Sequence, residues 1–141
     1  MYPWAQKEFN KTYRFFESLK AGLLETARCR ACGQVQWPPR STCAKCLSED
    51  LEWVELPKEG TLESFHQSHV SSVEGERTPF LVGTIRLPNG VRMLAKITGG
   101  TVEHLRTGMR MKRRSAGLRR GQVRWTFSPM KQETQRSPQK P

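Results

Sequence analysis

CRACGQVQWPPRSTCAKC, residues 29–46, contains every cysteine of the chain, arranged as two CxxC pairs with ten residues between them. A tetrahedral metal ion takes four ligands. One tight CxxC turn can present two thiolates along one edge of the tetrahedron while a second turn supplies the opposite edge. Cys29, Cys32, Cys43 and Cys46 are therefore expected to close round one ion. Gly33, directly after Cys32, suits the sharp turn in which backbone amides curl toward the sulfurs. Pro38 and Pro39 stiffen the connection between the pairs. Four thiolates leave no coordination position for water or substrate, so the expected role is structural, with zinc as the expected ion and iron on the same sulfurs as its rival. A redox CxxC would need a βαβ setting, and no such pattern surrounds either pair.

Outward from the cysteines, short extended pieces flank the pairs: LLETA before them, VQW between them and LEWVEL after them. They predict a small β-type metal ribbon over residues 23–57. Upstream, Phe9, Tyr13, Phe16 and Lys20 recur at helical spacing, with Pro3 tolerated in a first turn and Gly22 near the end. That pattern predicts an N-terminal helix within residues 1–22 whose aromatic face packs on the chain's own body or docks on a partner. Downstream, TLESFHQSHV, PFLVGTIRL, VRMLAKI, MRMKRR and QVRWTF read as five strands. Turn chemistry separates them at Glu74–Gly75, at Pro88–Asn89–Gly90 and from Gly117 to Gly121, and TVEHLRTG is long enough for one or two helical turns. Five short strands over residues 58–128 fit a Greek-key barrel of the OB type better than a sandwich, which needs about seven. The fold class expected is mainly β, and residues 129–141, without apolar periodicity, are expected to be a disordered tail.

No run of about 18 apolar residues is available to cross a bilayer, and MYPWAQKEFNKTYRFF lacks the apolar stretch of a secretory leader. A soluble, cytoplasmic protein is expected, in keeping with paired CxxC motifs as metal ligands in a reducing compartment. Of 24 Lys and Arg residues, 11 lie in residues 105–141 with Glu133 as the one acid there, so nearly all of the +11 net charge is local. Such an excess points to an anionic partner or a solvated tail. His66 and His69, three apart in a strand, point to opposite faces, and His104 stands alone beside Glu103. No GxSxG, P-loop or convergent carboxylate pair is present, so no catalytic residue is assigned and catalysis by this chain alone is not expected.

FFESLKAGLL leading into CRACG, then WPPR, TCAKC, LEWVEL, Gly60–Thr61, TPFLVGTIRLPNGVRMLAKI, EHLRTGM and the closing FSP follow one another in order. This series resembles the OB-fold proteins with an N-terminal rubredoxin-like zinc ribbon that accompany thiolases and other acyl-CoA enzymes. The resemblance implies a non-catalytic accessory subunit that binds a thiolase-like or other acyl-CoA enzyme and helps to hold the CoA moiety of a thioester. Period-two alternation places Arg92, Lys96, Arg110 and Lys112 away from the apolar faces, which makes them the candidates for CoA phosphates. RRSAGLRRGQVR is more basic than the resemblance leads one to expect, and it keeps single-stranded nucleic acid as the alternative ligand. In that alternative Phe65, Phe80, Trp125 and Phe127 would be stacking platforms, although Trp125 and Phe127 share the apolar side of their strand with Val123.

Overall fold

The computed structural model describes residues 11–71, 77–119 and 122–130. Pro3 and Phe9 of the expected helix, and the tail from 131 onward, lie outside the described residues. The chain runs α1 (Tyr13–Lys20), β1 (Glu25–Cys29), β2 (Leu51–Glu55), β3 (Glu59–Ser68), β4 (Phe80–Arg86), β5 (Arg92–Ile97), β6 (Arg110–Arg119) and β7 (Gln122–Pro129). Strands β1 and β2 pair antiparallel as the ribbon, and Val35 adds a single bridge to Arg28. The remaining five close into a barrel in the order β3-β4-β5-β7-β6, with β5 and β7 parallel and the other pairings antiparallel. This is the five-stranded OB barrel that the strand count implies.

Alternation fills the interior. Leu62, Ile85, Met93, Ala95, Ile97, Met111 and Phe127 are buried from successive strands, and Leu87 and Val91 close one end. Gly83 is needed where it stands, because a Cβ there would come within 2.7 Å of Ile97 Cδ1 and 2.8 Å of both Leu62 Cδ1 and the Ser64 carbonyl oxygen.

Three local expectations are corrected. TVEHLRTG forms turns and no helix. Seven residues between Gly100 and Gly108 are too few to nucleate one, and the segment instead delivers Leu105 into the core. Gly117 is not part of a turn: β6 continues through it to Arg119, where Arg119 faces Gln122. Residues 116–119 and 122–125 have ladder partners only in each other, so this end of the hairpin runs past the barrel's closing pairs. α1 lies on it, close enough that a Cβ on Gly117 would stand 3.9 Å from the Leu19 carbonyl oxygen, an ordinary contact distance. The buried face of α1 is Phe15, Ser18 and Leu19, rotated from the expected Tyr13–Phe16–Lys20 stripe. Phe16 packs at the edge of the same core.

Helix, ribbon and barrel meet in one aromatic group. The rings of Trp37 and Trp125 lie 5.5 Å apart between centroids, and Phe15 contacts both edge-on at 6.0 and 6.3 Å. The Trp125 indole N–H donates to the Leu94 carbonyl at 2.8 Å, which satisfies its polar atom. A second tie is Arg113, its side chain 5% exposed, which donates to the Leu56 carbonyl at 3.3 Å and to the Glu55 carboxylate at 3.2 Å. It thereby fastens the end of the ribbon to β6 of the barrel.

Candidate metal centre and basic barrel face

The two cysteine turns are built alike. In each, the first cysteine's carbonyl accepts the amide of the residue four places on: Gly33 to Cys29 at 2.8 Å and Leu47 to Cys43 at 3.0 Å. In each, the first cysteine's amide donates to a carbonyl five places on, Gln34 and Ser48, both at 2.8 Å. The residue closing each turn has a left-handed backbone, with φ of 82° at Gly33 and 65° at Leu47. Glycine takes that conformation freely, whereas leucine does so at a cost of about 1–2 kcal/mol.

The turns face one another. Cys29 Sγ lies 3.6 Å from Cys46 Sγ, Cys32 Sγ lies 3.6 Å from Cys43 Sγ, and all four sulfurs fall within 4.8 Å of each other. Sulfurs bound at about 2.3 Å on a tetrahedron stand roughly 3.8 Å apart, so the four are placed to close round one zinc or iron ion with small side-chain shifts. Cys29 and Cys43 are buried, while Cys32 and Cys46 reach the surface. Backbone amides of Cys46 and Lys45 hold the Cys43 thiol down to about 6. The amide of Cys32 lowers Cys29 in the same way. The Ser48 amide pulls Cys46 down as well, but the Cys29 sulfur, loss of solvent and then the Cys32 and Cys43 sulfurs outweigh it and push that thiol up to about 12. Four thiolates in this space repel one another, and a bound cation is what relieves them. Such an ion would be held by Cys29, Cys32, Cys43 and Cys46 and would supply a cross-link. Among the described residues these four are the group of metal-ligating side chains placed to share an ion; His66, His69 and His104 are exposed and apart from it.

One further side chain reaches the sulfurs. Gln36 is buried, its side-chain N–H donates to Cys43 Sγ at 3.3 Å, and its side-chain oxygen accepts the Ala44 amide at 3.0 Å. Sequence reasoning missed it, because glutamine carries no spacing signal.

The four basic candidates are not brought to one point. β7 stands between β5 and β6, so Arg92 and Lys96 are not on a strand neighbouring Arg110 and Lys112. Register instead aligns Arg92, Arg86, Thr61 and Arg110 in one row across β5, β4, β3 and β6. Arg86 was missed, although it shares the outer face of β4 with Val82 and Thr84 and alternates with the buried Gly83 and Ile85. Two acids partner the row: Glu63 binds Arg86 at 3.2 Å and Arg92 at 3.1 Å, and Glu59 binds Arg110 at 2.9 Å. Lys96 sits two residues along β5 from Leu94, its ammonium 5.2 Å from the Phe80 ring centre, and Lys112 lies opposite Glu59. Of the four supposed stacking platforms, Phe127 is fully buried, Phe65 packs on the core and Trp125 is engaged by Trp37 and Leu94. The aromatic half of the nucleic-acid alternative is thereby withdrawn at three of its four positions.

A family model of the ChsH2 rubredoxin-like zinc ribbon domain matches residues 16–52, and one of the ChsH2 C-terminal OB-fold domain continues from 53 to 115. The chain belongs to the ChsH2 family. Within it, this ChsH2-type chain is 36% identical over 80 residues to the benzoylsuccinyl-CoA thiolase subunit BbsA of Thauera aromatica, across 57% of its own length and 55% of that subunit. It is 30% identical over 95 residues to the 3-oxo-4,17-pregnadiene-20-carboxyl-CoA hydratase alpha subunit of Mycobacterium tuberculosis, where the match covers 67% of this chain and 30% of that one. The chain thus spans about half the length of the thiolase subunit it matches, and less of the hydratase subunit. Among solved structures it superposes on a chain of an Ltp2-ChsH2(DUF35) aldolase with a TM-score of 0.72 and 25% identity, over 82% of this chain and 91% of that one. A DUF35 family protein of Sulfolobus solfataricus, 23% identical with a TM-score of 0.55 over 83% of each chain, shares the fold. No helix among the described residues is long and apolar enough to cross a membrane.

Proposed function

We propose that this chain is an accessory subunit of an acyl-CoA-processing assembly, docking on a thiolase-like or other acyl-CoA enzyme and holding the CoA end of the thioester. The observation that carries the reading is the continuous ribbon-then-barrel match over residues 16–115, joined by sequence similarity over 80 residues to a thiolase subunit and over 95 to a hydratase subunit, and by the fold of an aldolase-associated chain. These relatives differ in reaction; the thiolase and hydratase subunits carry a CoA thioester in their names, and the third belongs to an aldolase. The metal ribbon contributes shape, since a four-thiolate site leaves no open position. The outer barrel bases contribute position. Arg92 and Arg110, with Arg86 between them, form the cationic row, and Lys96 and Lys112 flank it. A phosphate oxygen in place of Glu63 or Glu59 keeps each guanidinium paired, the displaced carboxylate turning to solvent, so a diphosphate can dock on this row.

Affinity purification from the native host should recover an acyl-CoA enzyme with this chain; recovery of the chain alone under native conditions refutes the docking half. Charge reversal at Arg92 and Arg110 in the assembled complex should raise the apparent KM for acyl-CoA about tenfold, about 1.4 kcal/mol. A phosphate-free thioester analogue should react nearly as before. Equal losses with both substrates would show that these bases do not read CoA phosphates.

A further inference from the structure

We propose that Gln36 is a positioning residue for the metal centre: it locks the second cysteine turn against the first and draws electron density from the Cys43 sulfur, so that it governs how tightly the ribbon holds its ion. The side chain comes from outside both CxxC turns, yet every polar atom of its amide is committed. Its nitrogen donates to Cys43 Sγ at 3.3 Å and to the Gln34 carbonyl at 3.2 Å, and its oxygen accepts the Ala44 amide at 3.0 Å. That set also fixes which end of the amide faces the sulfur, because the Ala44 N–H requires an acceptor. The backbone of Gln36 is held in turn, its N–H donating to the Ala27 carbonyl at 2.8 Å and its carbonyl accepting the Thr26 hydroxyl. Thr26 and Gln36 are both at most 3% exposed, so water does not compete for these bonds. Cys43 then receives three N–H groups, from Gln36, Lys45 and Cys46, of which the Gln36 donor is the one not supplied by the turn itself.

An N–H donor on a metal-bound thiolate stabilises its lone pairs, and partners of this kind carry about 10–100-fold in metal affinity. The test uses the full chain loaded with zinc, or with cobalt as an optical substitute. Gln36→Leu should lose zinc to a chelator about tenfold more readily and move the sulfur-to-cobalt charge-transfer band to lower energy. Gln36→Glu, at pH 8, keeps an acceptor for Ala44 but turns a carboxylate oxygen toward the sulfur, so it should hold zinc less well than Gln36→Leu. Gln34→Ala, at an exposed neighbour, should behave as the parent. An unshifted cobalt band in Gln36→Leu overturns the proposal even if zinc retention falls, because lost packing alone leaves the sulfur's energy in place. Better retention by Gln36→Glu than by Gln36→Leu overturns it as well.

Discussion

Removing the carboxylate of Glu55 should destabilise this protein more than removing the buried guanidinium it pairs with. Arg113 is almost wholly enclosed, and Glu55 keeps 42% of its side chain in solvent. Burial pulls the Arg113 pKa down, and Glu55 opposes that shift. In Arg113→Met the methionine fills the channel and Glu55 returns to water, so the main loss is the donor to the Leu56 carbonyl, an unpaired buried acceptor worth about 1–3 kcal/mol. Part of that is returned by the guanidinium no longer being desolvated, leaving roughly 1–2 kcal/mol. In Glu55→Ala the cation stays buried with a single carbonyl. Breaking a buried pair this way costs about 3–5 kcal/mol, reduced to roughly 2–3 by the exposure of the carboxylate. Urea unfolding of the zinc-loaded single and double variants gives the four corners of a cycle, and the double variant should resemble Arg113→Met. A smaller loss in Glu55→Ala than in Arg113→Met, or a coupling below about 0.5 kcal/mol, would refute the view that Glu55 is what makes a buried arginine tolerable here.

Cys43→Ser, or chelation of the ion, should unfold the ribbon, since such sites supply about 10–16 kcal/mol in small zinc peptides, while the barrel strands from Glu59 to Pro129 keep their exchange protection; metal analysis should return one ion per chain. Gly83→Ala should cost about 1–3 kcal/mol or more by thermal melting, because the added methyl meets a backbone oxygen as well as Leu62 and Ile97. Leu47→Gly should stabilise the metal-loaded ribbon by about 1 kcal/mol, because the leucine is 74% exposed and has a left-handed backbone. An unchanged chelator titration and melting curve for that variant would show that the turn bears no strain.

The cysteines and the five barrel strands were legible because their signals are local. CxxC is a contact between near neighbours, and Val91, Met93, Ala95 and Ile97 announce a strand by parity alone. What depended on two strands at once was not legible. Arg113 sits on the inward side with Met111, just before the register shift between Arg113 and Ser115, and its partners are 57 and 58 residues away. The barrel bases could be placed on the outside by alternation, but the insertion of β7 between β5 and β6 decided which of them align. Arg86 therefore joins Arg92 and Arg110 where Lys96 and Lys112 had been expected. Leu47 was unreadable for a different reason: the matching turn uses glycine at that position, and only comparison of the two backbones exposes the leucine.

The contact between Trp37 and Trp125 has an optical consequence. Two indoles at 5.5 Å and 70° couple their electronic transitions, and one belongs to the ribbon while the other belongs to the barrel. Their coupled signal in far-ultraviolet circular dichroism, where the intense indole transitions lie, should be present while the two halves are seated on each other and be lost when they part, even with each half still folded. The molecule thus contains its own gauge of whether ribbon and barrel move as one body, readable without a label during metal removal or partner binding.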